Sequence, residues 1–151
     1  MYSKQEKAQL KEAFWTALGR YMTPHPGAGG EKVNWINYKT RIRHITFRTE
    51  VADSTASIAV VLSHPDRAER AQAWQQFQEV KHLLKAATDE DWLWEEAYED
   101  EYGHAYSRIY TTLENVNIYR QEDWPTLISF FKPRLIALDA FWEEVKFAFE
   151  L

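Results

Sequence analysis

Five basic residues, Lys32, Lys39, Arg41, Arg43 and Arg48, lie between Lys32 and Thr49 with no acidic residue among them. Trp35, Tyr38 and Phe47 are interleaved with these cations. Cations alternating with rings can meet the phosphates of a nucleic-acid strand and stack its bases. Lys32, Trp35, Tyr38, Lys39, Arg41, Arg43 and Arg48 are therefore the candidate nucleic-acid-binding set. The run from Asp89 to Glu101 is the opposite, with eight acidic residues and no Lys or Arg. As neighbours in one sheet, the two segments would neutralise each other. Apart, they leave a basic face for nucleic acid, or acidic and basic patches that pair between subunits.

Catalytic constellations are not found. Histidines 25, 44, 64, 82 and 104 contain no HxH or HExxH spacing, so no zinc site is indicated. Serines 54, 57, 63, 107 and 129 lack a GxSxG elbow, and the chain has no cysteine to act as nucleophile or thiolate ligand. Gly27 to Gly30 reads GAGG, but it follows a helix and feeds a strand. A phosphate-cradling loop has the reverse topology, so this stretch reads as a linker. No catalytic residue, metal or cofactor is assigned.

The elements that must position the basic stretch are legible from pattern. Ser3 stands three residues before Glu6, the spacing of a capping box. Leu10, Phe14, Ala17, Leu18 and Tyr21 continue at helical spacing until Pro24 and Pro26 end the helix. The block Val33 to His64 reads as consecutive strands: Val33 to Tyr38, then one around Ile45 and Phe47, then Ala56 to Ser63, with turns at Thr40-Arg41 and Asp53-Ser54. Pro65 suits the first position of a second helix capped by His64, with Trp74, Phe77, Val80, Leu84 and Ala87 as its apolar stripe. A hairpin is expected from Trp92 to about Thr112, turning at Asp100 to Gly103. A last helix begins near Gln121, and Pro133 should kink or split it. Its core stripe is Leu127, Phe131, Leu135, Leu138, Trp142, Val145 and Phe149. Ile136, Ala140 and Phe147 fall on the opposite side and are the candidate interface for a partner or a second copy.

The resulting order is α-β-β-β-α-β-β-α, an α+β domain with one mainly antiparallel sheet packed by helices. At 151 residues it reads as one domain, residues 1–151, large enough to bury about two-thirds of its unfolded surface. A net charge of −5 disfavours indiscriminate coating of DNA but permits a local basic face. The charged N-terminus has no signal-peptide core, and no apolar run approaches the ~20 residues of a membrane span. A cytoplasmic protein that does not enter membranes is the expectation.

Trp92-Leu93-Trp94-Glu95, Ser107-Arg108-Ile109-Tyr110 and Glu122-Asp123-Trp124-Pro125, with the apolar tail through Pro133-Arg134, form a recognisable set. Together with Trp35 and Ser63-His64, they resemble the bacterial domain of unknown function 4268. The resemblance covers nearly the whole chain and carries no established activity. It implies an association with restriction-endonuclease-like domains, which similar sequences often follow; none precedes it in these 151 residues. The α-β-β-β-α-β order is also that of a restriction-endonuclease-like core, which needs an acidic residue on the second strand and a carboxylate two residues before Lys on the third. Here the third strand reads Ile58 to His64 without either, so such a core would be degenerate.

The sequence thus points first to a non-catalytic interaction module that self-associates. The alternative is a nucleic-acid-binding accessory domain linked to DNA restriction or defence, and a divergent metal-dependent nuclease comes third. Arg108 and Arg134 are expected to pair with the acidic segment.

Overall fold

The computed structural model describes residues 2–149. Helix α1 (Lys4–Met22) starts on the expected capping box: the Ser3 hydroxyl accepts the Glu6 N–H, and the Glu6 carboxylate accepts the Ser3 N–H. Its Phe14, Leu18 and Met22 are fully buried. Four strands follow in two hairpins: β1 (Ile45–Val51) with β2 (Thr55–Leu62), and β3 (Leu93–Glu99) with β4 (Ala105–Glu114). They form one antiparallel sheet in the order β1-β2-β4-β3. Between the hairpins lie α2 (Arg67–Glu79) and α3 (Lys81–Thr88), and α4 (Trp124–Val145) closes the fold before a short 3₁₀ turn, Lys146–Phe149.

The α+β class and the single antiparallel sheet are as expected, and the order of elements differs at two places. Val33 to Tyr38 forms bends and turns rather than a first strand. Asn34 captures the Asn37 N–H with its side-chain oxygen, and this local bond competes with strand pairing. Buried Trp35 donates to the His25 carbonyl, and the Tyr38 hydroxyl donates to Asp139. The segment is therefore pinned by three anchors. With two consecutive strands here instead of three, the restriction-endonuclease-like order is not reproduced. The single helix expected after the first hairpin is also broken into α2 and α3, where β-branched Val80 leaves helical geometry at φ −110°, ψ 16°.

Two smaller differences concern caps and proline. The N-cap of α2 is Asp66, whose carboxylate accepts the Glu69 N–H, and not His64. A carboxylate at the helix start both accepts an orphan N–H and meets the positive end of the dipole. Pro133 lies inside α4 without dividing it. It cannot donate to the Ser129 carbonyl, while the adjacent Phe130 carbonyl accepts a bond from the Arg134 guanidinium, 2.9 Å.

Helices cover one face of the sheet. Ala56, Ile58, Val60 and Leu62 of β2 point into that side with Ile45 and Phe47 of β1, Ile109 of β4 and Trp94 of β3. Every residue of the expected α4 stripe is buried. Asp139, on the same helix, is buried too and accepts the Ala28 N–H at 2.7 Å and the Tyr38 hydroxyl at 2.5 Å. Those bonds tie the GAGG loop and the irregular segment to α4. Burial first, then the bond to Asp139, pushes the Tyr38 pKa up. A Cβ at Gly27 would lie 2.5 Å from Val33 Cγ2, so any larger residue there would displace the Val33 side chain.

Candidate functional site

The loop entering β1 is held in an unusual conformation. Arg41 and His44 both have φ of 69°, the left-handed region that side chains other than Gly, Asn and Asp rarely adopt. Thr40, buried beside them, enforces it: its hydroxyl bonds the Ile45 carbonyl at 2.6 Å and the Ile42 carbonyl at 3.1 Å, and accepts the Ile42 N–H. The Thr40 carbonyl in turn accepts the Trp142 indole N–H. Strain of this kind, held by surrounding structure, clusters at binding and catalytic sites.

The loop forms one wall of a cleft of about 690 Å³, within the range of small-ligand sites. Ile42, Ile45, Leu62, Ala73 and Phe149 supply its apolar surface. Arg41, Arg43, His44, His64 and Arg70 supply its cationic and imidazole groups, against one carboxylate, Glu69. The His44 and His64 rings meet edge-on with centroids 4.6 Å apart. His64 Nδ1 accepts the Asp66 N–H at 3.0 Å, which places the ring hydrogen on Nε2. Arg70 donates to the His64 carbonyl at 2.8 Å and so fixes that corner. His44 is held below the ordinary histidine pKa by desolvation first, then by His64 and Arg43. Among the described residues, no carboxylate lies within ion-pair distance of Arg41, Arg43 or Arg70.

Arg41 also lines an adjoining cleft with Lys32, Tyr38, Lys39 and Lys146, where Glu31, Asp139 and Glu143 are the acids. Four members of the sequence-derived set, Lys32, Tyr38, Lys39 and Arg41, thus meet there, and Arg43 lies on the first cleft. The other two are elsewhere. Trp35 is buried with its indole N–H bonded, and Tyr38 is half-buried with its hydroxyl committed, so neither stands as an open stacking ring. Arg48 lies on the opposite sheet face, 3.9 Å from Glu50 and 6.0 Å from the Tyr106 ring. Sequence reasoning missed His44, His64 and Arg70. Two of them sit beyond the basic stretch: the β1–β2 register, with Ile45 opposite Leu62, brings His64 to it, and Arg70 of α2 is bonded to the His64 carbonyl.

The acidic segment sits on β3, at the far edge from β1, so the two charged segments are not sheet neighbours. Its partners include the two expected arginines, and Lys85 pairs with Asp91 at 3.1 Å. Arg108 bonds Glu95 at 2.5 Å, and Arg134 grips both oxygens of Glu90 at 2.9 and 2.7 Å. Arg108 is also stacked between Tyr98 and Tyr110, at 3.8 and 4.1 Å from the ring centroids. Arg108 and its two rings lie on the sheet face outside the hydrophobic core, where Val61, paired with Arg108, is 2% exposed. Of the candidate interface residues, Ile136 packs partly against the core, Ala140 is exposed, and Phe147 is 68% exposed within the terminal 3₁₀ turn.

Among the described residues, no three His, Asp or Glu side chains converge as metal ligands, and no helix is long and apolar enough to cross a membrane. A comparison with curated proteins finds no match, and neither does one with solved structures. The family described as domain of unknown function (DUF4268) matches residues 10–146, nearly the whole chain, and the protein belongs to that family.

Proposed function

We propose that this domain is a non-catalytic binding module whose cationic cleft takes a phosphate-bearing partner, namely a nucleic-acid strand. One observation carries the reading: in a chain of net charge −5, three arginines without a carboxylate partner among the described residues surround a single cleft. Leaving cations unpaired beside a cleft favours anions by long-range attraction and by charge-assisted hydrogen bonds. Partly apolar walls and a rigid loop suit recognition of a group that has both a charge and a flat apolar body.

The test is fluorescence anisotropy of labelled oligonucleotides at two salt concentrations. Binding should weaken steeply as salt rises, because phosphate contacts release counterions. Arg41→Glu with Arg43→Glu should reduce affinity at least ten-fold while the circular dichroism spectrum stays that of the parent. Parent-like affinity in a folded double variant would reject the cleft as the binding surface.

A second reading, self-association, draws support from Phe147, which is large, apolar and 68% exposed, and from Ala140, which is also exposed. Ile136 contributes less than the wheel suggested, since it packs partly on the core. On this reading, sedimentation shows a dimer that Phe147→Asp dissociates; a monomer at a hundred micromolar would remove it.

A further inference from the structure

We propose that the cleft recognises a terminal phosphate, a phosphomonoester, in preference to the internal phosphodiesters of a strand. The inference rests on the phosphate-binding reading and deepens it. The donors are concentrated rather than strung out. Arg41 and Arg43 come from the loop before β1, His64 from the β2–α2 connection and Arg70 from α2, and all line one cleft. A track for internal phosphates would instead spread its cations along a groove. A terminal phosphate offers three oxygens and up to two negative charges, which suits several donors lining one cleft. The apolar side, Ile45, Leu62 and Phe149, is where the attached sugar and base would rest.

The two imidazoles divide the work. Nδ1 of His64 is occupied as an acceptor by the Asp66 N–H, so its Nε2–H is the ring donor left for an anion. His44 has no such bond on the described atoms and is the group able to take up a proton when a dianion arrives. The titratable and charged groups that share its cleft are Arg41 and Arg43 on its own loop, His64 before α2, and Glu69 and Arg70 on α2, with Asp66 bonded through its N–H to His64. Desolvation first, then the neighbouring His64 ring and Arg43, lower the proton affinity of His44, and a bound phosphate offsets the opposing charge. Lys32 and Lys39, on the adjoining cleft that shares Arg41, are placed for the next phosphates of a strand.

The experiment compares one labelled single-stranded oligonucleotide carrying either a 5′-phosphate or a 5′-hydroxyl, with a nucleoside monophosphate as competitor, at pH 6 and pH 8. The 5′-phosphorylated strand should bind at least ten-fold more tightly at pH 6, with the ratio falling several-fold at pH 8. His44→Gln should flatten the pH dependence of binding of the 5′-phosphorylated strand. Competition by the monophosphate at equal concentration would support the site and identify a free nucleotide as its ligand. Competition only by the phosphorylated strand would support it and identify a strand end. Equal binding of both strands at both pH values would overturn the inference and leave the nucleic-acid reading standing. Absence of binding by every probe at low salt would overturn both.

Discussion

Arg41 and His44 hold backbone conformations that cost roughly 1–2 kcal/mol each for an ordinary side chain. The Thr40 hydroxyl sustains them, and both residues line the same cleft. Binding and strain therefore make opposite demands on position 41. Glycine adopts a φ of 69° without the Cβ penalty, at the expense of a more disordered unfolded chain. Arg41→Gly should then be at least as stable as the parent in thermal unfolding, yet bind a labelled oligonucleotide several-fold more weakly. A variant that loses stability and keeps its affinity would show that the Arg41 side chain supports the loop and not a ligand. Nothing local in the sequence marks this strain, because Thr-Arg-Ile-Arg-His contains no glycine and reads as an ordinary turn between strands.

At the scale of elements, the signals that were legible are those built from neighbours in the chain. The Ser3–Glu6 capping box, the stripe of α4 and the hairpin turning at Asp100 to Gly103 each depend on a few adjacent residues. That last turn forms as expected, with Asp100 accepting the N–H groups of Tyr102 and His104 and Gly103 at φ 81°. The expected strand at Val33 to Tyr38 failed because its alternation has another cause. Val33 packs on the core, Trp35 bonds the His25 carbonyl, Tyr38 bonds Asp139 of α4, and Asn34 bonds within its own turn. The pairing of Arg134 with Glu90 joins elements 44 residues apart, and only charge hinted at it. Burial pushes the Glu90 carboxyl up, but bonds from Arg134 and Trp92 and the Arg134 charge together hold it below its ordinary value of 4.5. A carboxyl lowered on folding stabilises the protein above its unfolded pKa, and that contribution fades as pH falls through the folded value. Glu90→Gln should therefore lower stability by about 1–2 kcal/mol at pH 7. The gap from the parent should narrow as pH is lowered from 7 to below 4.5 in chemical denaturation. A gap of equal size at both pH values would mean that packing, not charge, accounts for it.

Across the whole molecule, charge is sorted by the order of strands. The acidic run lies on and around β3 at one edge, and the basic loop feeds β1 at the other. Local neutralisation of the two, the simplest reading of composition, is ruled out by a topology that no short motif encodes. Acids instead find Arg108 and Arg134, while Arg41, Arg43 and Arg70 are left around the cleft. Of the candidate set, Lys32, Lys39, Arg41 and Arg43 were legible as cations and line clefts. Arg48, in contrast, lies on the other sheet face, Trp35 and Tyr38 serve the core, and His64 reaches the cleft only through the register of β1 on β2. The most direct test is to map binding residue by residue, by following backbone amide resonances while a 5′-phosphorylated oligonucleotide is added. The largest shifts are expected at Thr40 to His44, at His64 and at Arg70. Shifts confined to Tyr98, Tyr106 and Arg108 on the opposite sheet face, with the loop unmoved, would contradict the account.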